Sequence, residues 1–483
     1  MTAIFSCDFR GHAKKLPHFW EHTVGSDHAP MALRADWQNQ LKRCHEELGF
    51  RYVRFHGLLS DDMGTLIRHQ GKLLYSFFNS DQVFDFLLAI GMKPFVELSF
   101  MPTALASGDK TVFHYHGNVT PPQDYKKWAQ LIGKLIAHWI ERYGKEEVRQ
   151  WFFEVWNEPN LEVFWTGTQK DYFKLYRHTV EAIKAADKRL KVGGPATAMN
   201  AWIGDFLEFC AKNHLPADFV STHHYPTDAF GRPGDDTEAQ LAASHRGVLR
   251  EQARATRRQA GQKPLYYSEW CTSSNPRYYR HDDPYAAAFV TKTILEATGL
   301  VQGYSYWTFS DIFEENYFPS LPFHGGFGLL NIHGVAKPVY RAFELLHQLG
   351  DELLPVKGAH QTVDAWAVRD ANGVTILFTN HALPRQAIRS ERVQFTLSNT
   401  ASPRAATMQR IDENHANAKR VWQALGAPEY LSPGVVEKLH AASRLRRRSQ
   451  QWHYQQGVTE INLRLPPHAV ASVRLAFSPR HND

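Results

Sequence analysis

The sequence predicts a (β/α)8 barrel with an appended antiparallel β-sandwich. From about residue 18 to 350, strand-like apolar runs alternate eight times with amphipathic helical segments, which is typical of a parallel barrel. Beyond about residue 350 the pattern changes to period-two alternation broken by turn residues, which indicates antiparallel strands. A chain of 483 residues is too long for one ordinary core but suits a barrel plus a smaller domain.

The eight barrel strands are predicted from runs that are almost continuously apolar, as expected of parallel strands covered by helices. In chain order they are 22–26 (HTVGS), 52–57 (YVRFHG), 94–100 (PFVELSF), 152–159 (FFEVWNEP), 191–196 (KVGGPA), 219–225 (FVSTHHY), 265–270 (LYYSEW) and 303–310 (GYSYWTFS). No GxGxxG turn follows an early strand, which argues against the alternative of a doubly wound sheet.

Between these runs the apolar residues follow helical spacing. The clearest case begins after residues 120–122 (TPP), continues from Trp128 to Ile140 and ends at Gly144. Residues 81–90 and 172–186 repeat the pattern. We therefore expect a helix after each strand.

The predicted division places the barrel at residues 14–350 and the β-sandwich at 351–483. Residues 1–13 are expected to join the sandwich because their strand-like run, IFSCDF, precedes the barrel. The sandwich is expected to carry no catalytic residue and to pack on the barrel through apolar side chains: Trp366, Ile376 and Phe378.

Composition excludes several classes of protein. The formal charge of +6 is small for this length, and the one dense basic run, Arg444 with residues 446–448, is interpreted as a solvated surface, so no nucleic-acid partner is expected. No stretch approaches 18 uninterrupted apolar residues, and no signal peptide is evident, so no membrane association and a cytoplasmic location are expected. The four cysteines form no CxxC pair and are expected to be free thiols. The oligomeric state is left open.

Two glutamates lie at the carboxyl ends of predicted strands, where barrel enzymes place their active sites. Glu158, in WNEPN, ends the fourth strand, and Glu269, in YSEW, ends the seventh. Hydrolysis of a glycosidic bond needs two carboxyl groups across a cleft. Pro159 is expected to keep Glu158 in an extended backbone, and Asn157 is well placed to bind a sugar hydroxyl. Either glutamate alone could instead form a structural ion pair.

Longer sequence motifs resemble those of one known family. WNEPN and YSEW, together with RFHGLLSDD (54–62), KPFVELSFMP (93–102), STHHY (221–225), SYWTFSDIFEE (305–315) and FHGGFGLL (323–330), resemble glycoside hydrolase family 39, and within it the β-xylosidase branch. The resemblance covers the barrel to about residue 350 and is weaker beyond. It implies a retaining exo-glycosidase that acts on β-xylosides such as xylo-oligosaccharides by double displacement.

The resemblance also implies residue roles. Glu158 would be the acid/base and Glu269 the nucleophile, with their carboxyl groups about 5–5.5 Å apart, and the charge of Glu269 is expected to raise the pKa of Glu158. The implied substrate-binding residues are His56, Asn157, His223, Tyr225, Trp307 and Glu315. Trp307 is expected to be a stacking platform that precedes a cis peptide bond to Thr308. No cofactor is implied.

Several alternatives stay open. The closest is an α-L-iduronidase-like enzyme, which needs a cation facing the substrate carboxylate, followed by a glucosidase, galactosidase or arabinosidase. A non-catalytic carbohydrate-binding barrel is the alternative from another class. A metal site is not expected, because neither His223-His224 nor His114-x-His116 has a third ligand at the usual spacing. The two histidines of the latter pair depart from the family pattern, in a loop expected to reach the cleft.

Overall fold

The computed structural model describes residues 2–315 and 319–477. The strands in these residues are β1 (Thr2–Asp8), β2 (Lys14–Lys15), β3 (Thr23–His28), β4 (Tyr52–His56), β5 (Leu66–His69), β6 (Lys72–Tyr75), β7 (Lys93–Leu98), β8 (Thr111–Val112), β9 (Gly117–Asn118), β10 (Phe152–Val155), β11 (Lys191–Thr197), β12 (Phe219–His224), β13 (Leu265–Trp270), β14 (Gly303–Tyr306), β15 (Glu352–Leu354), β16 (Val356–Lys357), β17 (Val363–Asp370), β18 (Gly373–Asn380), β19 (Glu391–Ser398), β20 (Ala405–Ile411), β21 (Arg448–Ser449), β22 (His453–Gln455), β23 (Val458–Leu465) and β24 (Val470–Ala476).

The α-helices of the same residues are α1 (Ala35–Leu48), α2 (Phe78–Ala89), α3 (Tyr125–Tyr143), α4 (Lys145–Val148), α5 (Gln169–Ala186), α6 (Ile203–Lys212), α7 (Thr237–Ala243), α8 (Val248–Ala260), α9 (Pro284–Glu296), α10 (Pro338–His347), α11 (Ala418–Ala424) and α12 (Pro433–Ala442). None of the described helices is both long and apolar enough to cross a membrane.

Eight parallel strands close into a barrel in the order β3, β4, β7, β10, β11, β12, β13, β14, with β14 pairing back to β3. Each of these strands overlaps one of the eight predicted runs. The predicted fold class is therefore confirmed: a (β/α)8 barrel joined to antiparallel sheets.

Aromatic side chains fill the amino-terminal end of the barrel. Phe95, Phe152 and Phe219 form a buried cluster with Tyr52 and Tyr266, and the rings of Phe95 and Phe152 stack 5.2 Å apart. These side chains all belong to the first half of their strands. Because bulky rings close this end, polar side chains can gather only at the carboxyl end.

The helices around the barrel follow the sequence pattern. In α3 the side chains of Leu131, Leu135 and Trp139 are buried, and Asp124 caps the helix by accepting hydrogen bonds from the backbone of its first turn. Helix α5 begins with a reciprocal capping box between Thr168 and Asp171. These signals fix where each helix begins, so that its apolar face covers the barrel strands.

Outside the barrel, β5 and β6 form one two-stranded sheet and β8 and β9 form another. The other strands form two facing sheets. One has the order β16-β1-β19-β23-β22 and the other β2-β15-β17-β18-β24-β20-β21. Strand β1 lies in the first sheet, but it pairs parallel with β19, so the sandwich is not purely antiparallel. The division of the chain at residues 14 and 350 stays a prediction.

The contact between barrel and sandwich involves one face of β18. Leu377 packs into the main core with Val368 and Val470, close to α9, and half-buried Trp366 packs against the same core. The prediction that Ile376 and Phe378 make this contact is wrong, because both lie in the separate core between the two sheets. Adjacent residues of a strand point to opposite faces of the sheet, so Ile376 and Phe378 point away from the face that carries Leu377.

Helices α11 and α12 lie between β20 and β21, in a stretch for which no helix was predicted. All four cysteines are buried and free, which confirms the prediction of unpaired thiols.

Candidate active site

A cavity of about 610 Å³ opens at the carboxyl ends of the barrel strands. Its lining brings together seven of the eight residues predicted for the site, which are His56, Asn157, Glu158, Tyr225, Glu269, Trp307 and Glu315. His223 lies behind this wall with no exposed surface and contacts Glu158 there. The predicted contact of His223 with a sugar hydroxyl stays a prediction.

Glu158 lies beyond the end of its strand rather than within it. Strand β10 ends at Val155, and both Trp156 and Glu158 have positive φ angles, 73° and 45°. The expectation that Pro159 keeps Glu158 extended is therefore wrong. The chain turns sharply after the strand, and the backbone N–H of Glu158 donates to Ala196 in the neighbouring strand. This turn places the carboxyl group in the cavity.

Glu269 lies within β13, where a bulge shapes the local register. Tyr267 pairs with Thr222 but Glu269 pairs with His223, so Ser268 is the extra residue. Because of the bulge, consecutive side chains both face the barrel interior: Ser268 contacts Glu154, and Glu269 contacts Arg54. The phenol of Tyr225 donates to Oε1 of Glu269 in a very short hydrogen bond.

The two glutamates face each other closely. A carboxyl oxygen of Glu158 lies within 4.8 Å of one of Glu269. Burial raises the pKa of Glu158 to about 7, while the charges of His56 and Arg54 oppose the shift. The cause expected from the sequence, the charge of Glu269, is thus not the main one. Burial also raises the pKa of Glu269, where the charge of Glu158 adds to the shift and that of Arg54 opposes it.

A chain of hydrogen bonds assigns a proton to Glu158. The hydroxyl of Ser268 donates to Glu154 Oε1 at 2.6 Å, so the Ser268 oxygen must accept from Nε2 of His223, 3.1 Å away. Burial lowers the pKa of His223 to about 4, so its ring is neutral and Nδ1 can only accept. The 2.9 Å contact between this Nδ1 and Oε1 of Glu158 is therefore donated by a protonated Glu158.

Arg54 is the hub beneath the cavity, and its side chain is fully buried. Its guanidinium contacts Glu154 at 2.6 Å, Glu97 at 2.7 Å and Glu269 at 3.4 Å. It also donates to the side-chain oxygen of Asn157 at 2.8 Å. The sequence analysis did not select Arg54, Glu97 or Glu154. The available signal was a charged residue in the middle of an otherwise apolar strand, in YVRFH, FVELSF and FFEVW.

Trp307 forms part of the cavity wall next to His56. The two rings are 4.8 Å apart, and the peptide bond from Trp307 to Thr308 is cis, as predicted. Gly25 makes room for the indole, because a Cβ there would lie 2.4 Å from a ring carbon. His56 is itself held by Glu97, with 2.8 Å between Nδ1 and Oε2.

Glu315 is a buried carboxyl group whose Oε1 has no hydrogen-bond partner among the described residues. Burial raises its pKa well above the usual range, and the charge of Asp27 adds to the effect. His56 Nε2 lies 3.5 Å from its Oε1. An unsatisfied carboxyl oxygen at a cavity wall is available to a ligand hydroxyl.

The neighbouring Glu314 lies in a cluster that ties the loops above the barrel together. Glu314 contacts Nδ1 of His28 at 2.5 Å, and Asp62 contacts Nε2 of the same ring at 2.9 Å. The ring of Tyr115 stacks on His28 at 3.6 Å. In the loop that carries His114 and His116, Val112 and Phe113 reach the cavity, whereas His114 approaches Glu314 at 3.7 Å.

Three groups of described residues have ligand atoms close enough together to hold a metal ion. One is the site itself, Glu158 with His223 and Glu269, and another is the His28 cluster with Asp27 and Glu314. In the site, Nδ1 of His223 already accepts from Glu158, and Arg54 supplies positive charge to Glu269. The proton on Glu158 and the guanidinium of Arg54 therefore neutralise the two carboxyl groups that a metal ion would otherwise neutralise.

A parallel barrel with two facing carboxyl groups in a cavity at the carboxyl ends of its strands defines a glycoside hydrolase. The comparisons with known proteins agree. The family model described as "Glycosyl hydrolases family 39" matches residues 6–459. Because this match covers most of the sequence, the chain belongs to glycoside hydrolase family 39, and the resemblance seen in the sequence is confirmed.

The relatives found by sequence and by structure point the same way. A β-xylosidase from Caldicellulosiruptor saccharolyticus is 50% identical over 471 residues, covering 95% of this chain and 96% of that protein. One from Geobacillus stearothermophilus is 40% identical, covering 89% and 87%. The crystal structure of a monomeric β-xylosidase from Caulobacter crescentus CB15 is similar with a TM-score of 0.86 at 34% identity, covering 98% of this chain and 99% of that one.

Replacing Arg54 by Met should destabilise the fold by about 3–5 kcal/mol at neutral pH, because buried carboxylates lose their cation. Burial alone would raise the pKa of Glu97, but Arg54 holds it below the usual value. Glu97 thus stabilises the native state above its unfolded pKa and loses this contribution as the pH falls through the folded pKa. The loss of unfolding free energy in the Arg54→Met variant should therefore be smaller at acid pH.

Urea unfolding at several pH values measures this loss, with exposed Arg51→Met as the control. Equal stability of the Arg54→Met variant and the native protein at pH 7 would contradict the role of Arg54.

Proposed function

We propose that this protein is a retaining exo-glycosidase that removes xylose from β-xylosides such as small xylo-oligosaccharides. The observation that carries the proposal is the pair of buried glutamates with carboxyl oxygens within 4.8 Å of each other, one in contact with a histidine and one beside a guanidinium. Retaining glycosidases hold their carboxyl groups about 5–5.5 Å apart, and inverting ones about 6.5–9.5 Å. The choice of xylose rests on two relatives that are β-xylosidases and that this chain matches over most of their length.

In the first step Glu269 attacks the anomeric carbon while Glu158 gives its proton to the leaving oxygen. The bond from carbon to the leaving group breaks as the bond to the Glu269 oxygen forms. Tyr225 donates to Glu269 and Arg54 opposes the rise of its pKa, so both favour the ionised nucleophile. The neutral His223 gives no proton to Glu158, which keeps that carboxyl group available as the donor.

In the second step Glu158, now a carboxylate, takes a proton from water as the water oxygen attacks the anomeric carbon. The ester bond to Glu269 breaks, xylose leaves with its original configuration, and Glu158 regains its proton. In this scheme Asn157, His56 and Glu315 bind sugar hydroxyls, and Trp307 offers an apolar face to the ring. No cofactor takes part in either step.

The cavity lining also bears on the alternatives. An α-L-iduronidase-like enzyme needs a cation facing the substrate carboxylate, and Arg232 is the one Lys or Arg among the described residues that line the cavity. Arg232 lies over the ring of Phe230 in the loop after β12. A non-catalytic barrel has no need for two closely spaced carboxyl groups with opposite protonation. The cytoplasmic location stays a prediction.

A panel of aryl glycosides tests the reaction and the sugar together. We expect the β-D-xyloside to be cleaved with the highest kcat/KM among the xyloside, glucoside, galactoside, α-L-arabinoside and α-L-iduronide. Proton NMR at early times should show β-xylose before mutarotation produces the α anomer. Initial formation of α-xylose would exclude double displacement, and preference for the iduronide would replace the xylosidase assignment.

Replacing either glutamate by Ala should separate their roles. Glu269→Ala should abolish turnover on every substrate, because no covalent intermediate forms. Glu158→Ala should lose about 10²–10⁴-fold on substrates with poor leaving groups and much less on dinitrophenyl xyloside, which hardly needs protonation. Exposed Glu181→Ala on α5 is the matched control. Losses that are independent of leaving-group pKa in the Glu158 variant would refute its role as acid.

The pH profile should report the Glu158 proton. Since burial raises its pKa to about 7, kcat/KM should fall as the pH rises through about 7, where the acid is lost. Replacing His223 by Ala admits water, which weakens the effect of burial and should move this limb to lower pH. The Glu158→Gln variant should lack the limb. A basic limb that stays in place in both variants would assign it to another group.

A further inference from the structure

A second cavity, of about 470 Å³, lies in the sandwich region between β20, α11 and the segment 442–448. It shares no lining residue with the proposed active site. Its apolar lining includes Met408, Val421 and Leu425. The run of basic residues that the sequence analysis interpreted as a solvated surface forms one wall.

The charge of this cavity is strongly unbalanced. Five arginines line it, with a single carboxyl side chain, Glu413; the arginines are Arg410, Arg420, Arg444, Arg446 and Arg448. Arg410 pairs with Asp412 at 3.0 Å. Arg420 donates to the backbone carbonyl of Glu413 at 3.4 Å. Among the described residues 2–315 and 319–477, no carboxylate forms an ion pair with Arg420, Arg444, Arg446 or Arg448. Guanidinium groups that outnumber the carboxylates in one concavity attract an anion.

The arrangement follows from the local chain direction. Residues 444, 446 and 448 alternate, so their side chains reach the same cavity, whereas Arg447 between them does not line it. Period-two alternation is the geometry of an extended chain. The alternation therefore places three guanidinium groups at the cavity and leaves Arg447 out of its lining.

We propose that this cavity binds a small molecule with two or more phosphate or carboxylate groups. Each guanidinium presents a planar fork that matches the oxygens of either group, and the apolar floor accommodates the part of the ligand between them. The concave shape favours a compact ligand over a linear polyanion, which would need a long basic surface.

The site is separate from the cleft of the barrel, and α11 forms part of its wall. Its lining residues Arg420 and Val421 face the cavity. From the same helix, Lys419 contacts Asp283 at 2.7 Å, and Trp422 packs against Phe323. The anion site therefore needs no change in the proposed function, and its test is independent of glycosidase activity.

Isothermal titration calorimetry on the full chain tests the proposal, with inorganic tripolyphosphate and trigalacturonic acid as the two probes. We expect one-to-one binding of at least one probe, and the probe that binds identifies phosphate or carboxylate as the natural group. Arg446→Ala should weaken this binding about tenfold through the loss of one charge-assisted contact. Arg448→Ala should do the same, and Arg446→Lys should lose less because it keeps the charge.

Arg447→Ala is the matched control, because it removes the same charge one residue away from the cavity wall. It should change the dissociation constant by less than about twofold. An unchanged melting temperature and far-ultraviolet circular-dichroism spectrum show that each variant is folded. The proposal is overturned if neither probe binds, if Arg447→Ala weakens binding as much as Arg446→Ala, or if duplex DNA binds more tightly than both probes.

Discussion

The buried guanidinium of Arg54 is the interaction on which the site depends. It bridges side chains from three other barrel strands: Glu97, Glu154 and Glu269. Two carboxylates at the centre of a barrel would repel each other strongly where water is excluded, and a shared cation removes this cost. The same guanidinium orients the Asn157 side chain. Two residues that line the cavity, Glu269 and Asn157, are thus both held by one side chain that does not itself line it.

The two glutamates become different because their surroundings differ. Both are buried, and burial alone raises the pKa of each. Glu269 has a phenol and a guanidinium as neighbours, which favour its ionised form. Glu158 instead faces the acceptor nitrogen of a neutral histidine, whose tautomer is fixed by Ser268 and, through it, by Glu154. Assignment of acid and nucleophile by environment is the general way in which one site holds two carboxyl groups in different protonation states.

The sequence predicts the barrel well because each strand is an apolar run of the right length followed by a helical pattern. It also places the two glutamates, because parallel strands end at the same side of a barrel. The backbone of Glu158 was not predictable, since its positive φ follows from a turn that bonds to Ala196 in another strand. Arg54 was missed because its partners are distant in sequence. The face of β18 that meets the barrel was predicted wrongly, since Ile376 and Leu377 are equally apolar and their pattern does not say which sheet face is which.

Strand β1 has a consequence for how the protein is made. Its sheet partner, β19, lies near the other end of the chain: Ser398 bonds to Cys7 across 391 residues. At a translation speed of about 5–20 residues per second, β1 leaves the ribosome roughly 20–80 s before β19 exists. The barrel strands between them are complete earlier, so the barrel can close while β1 still waits with its edges unpaired. The sheet that contains β1 is therefore completed only after all eight barrel strands have been made.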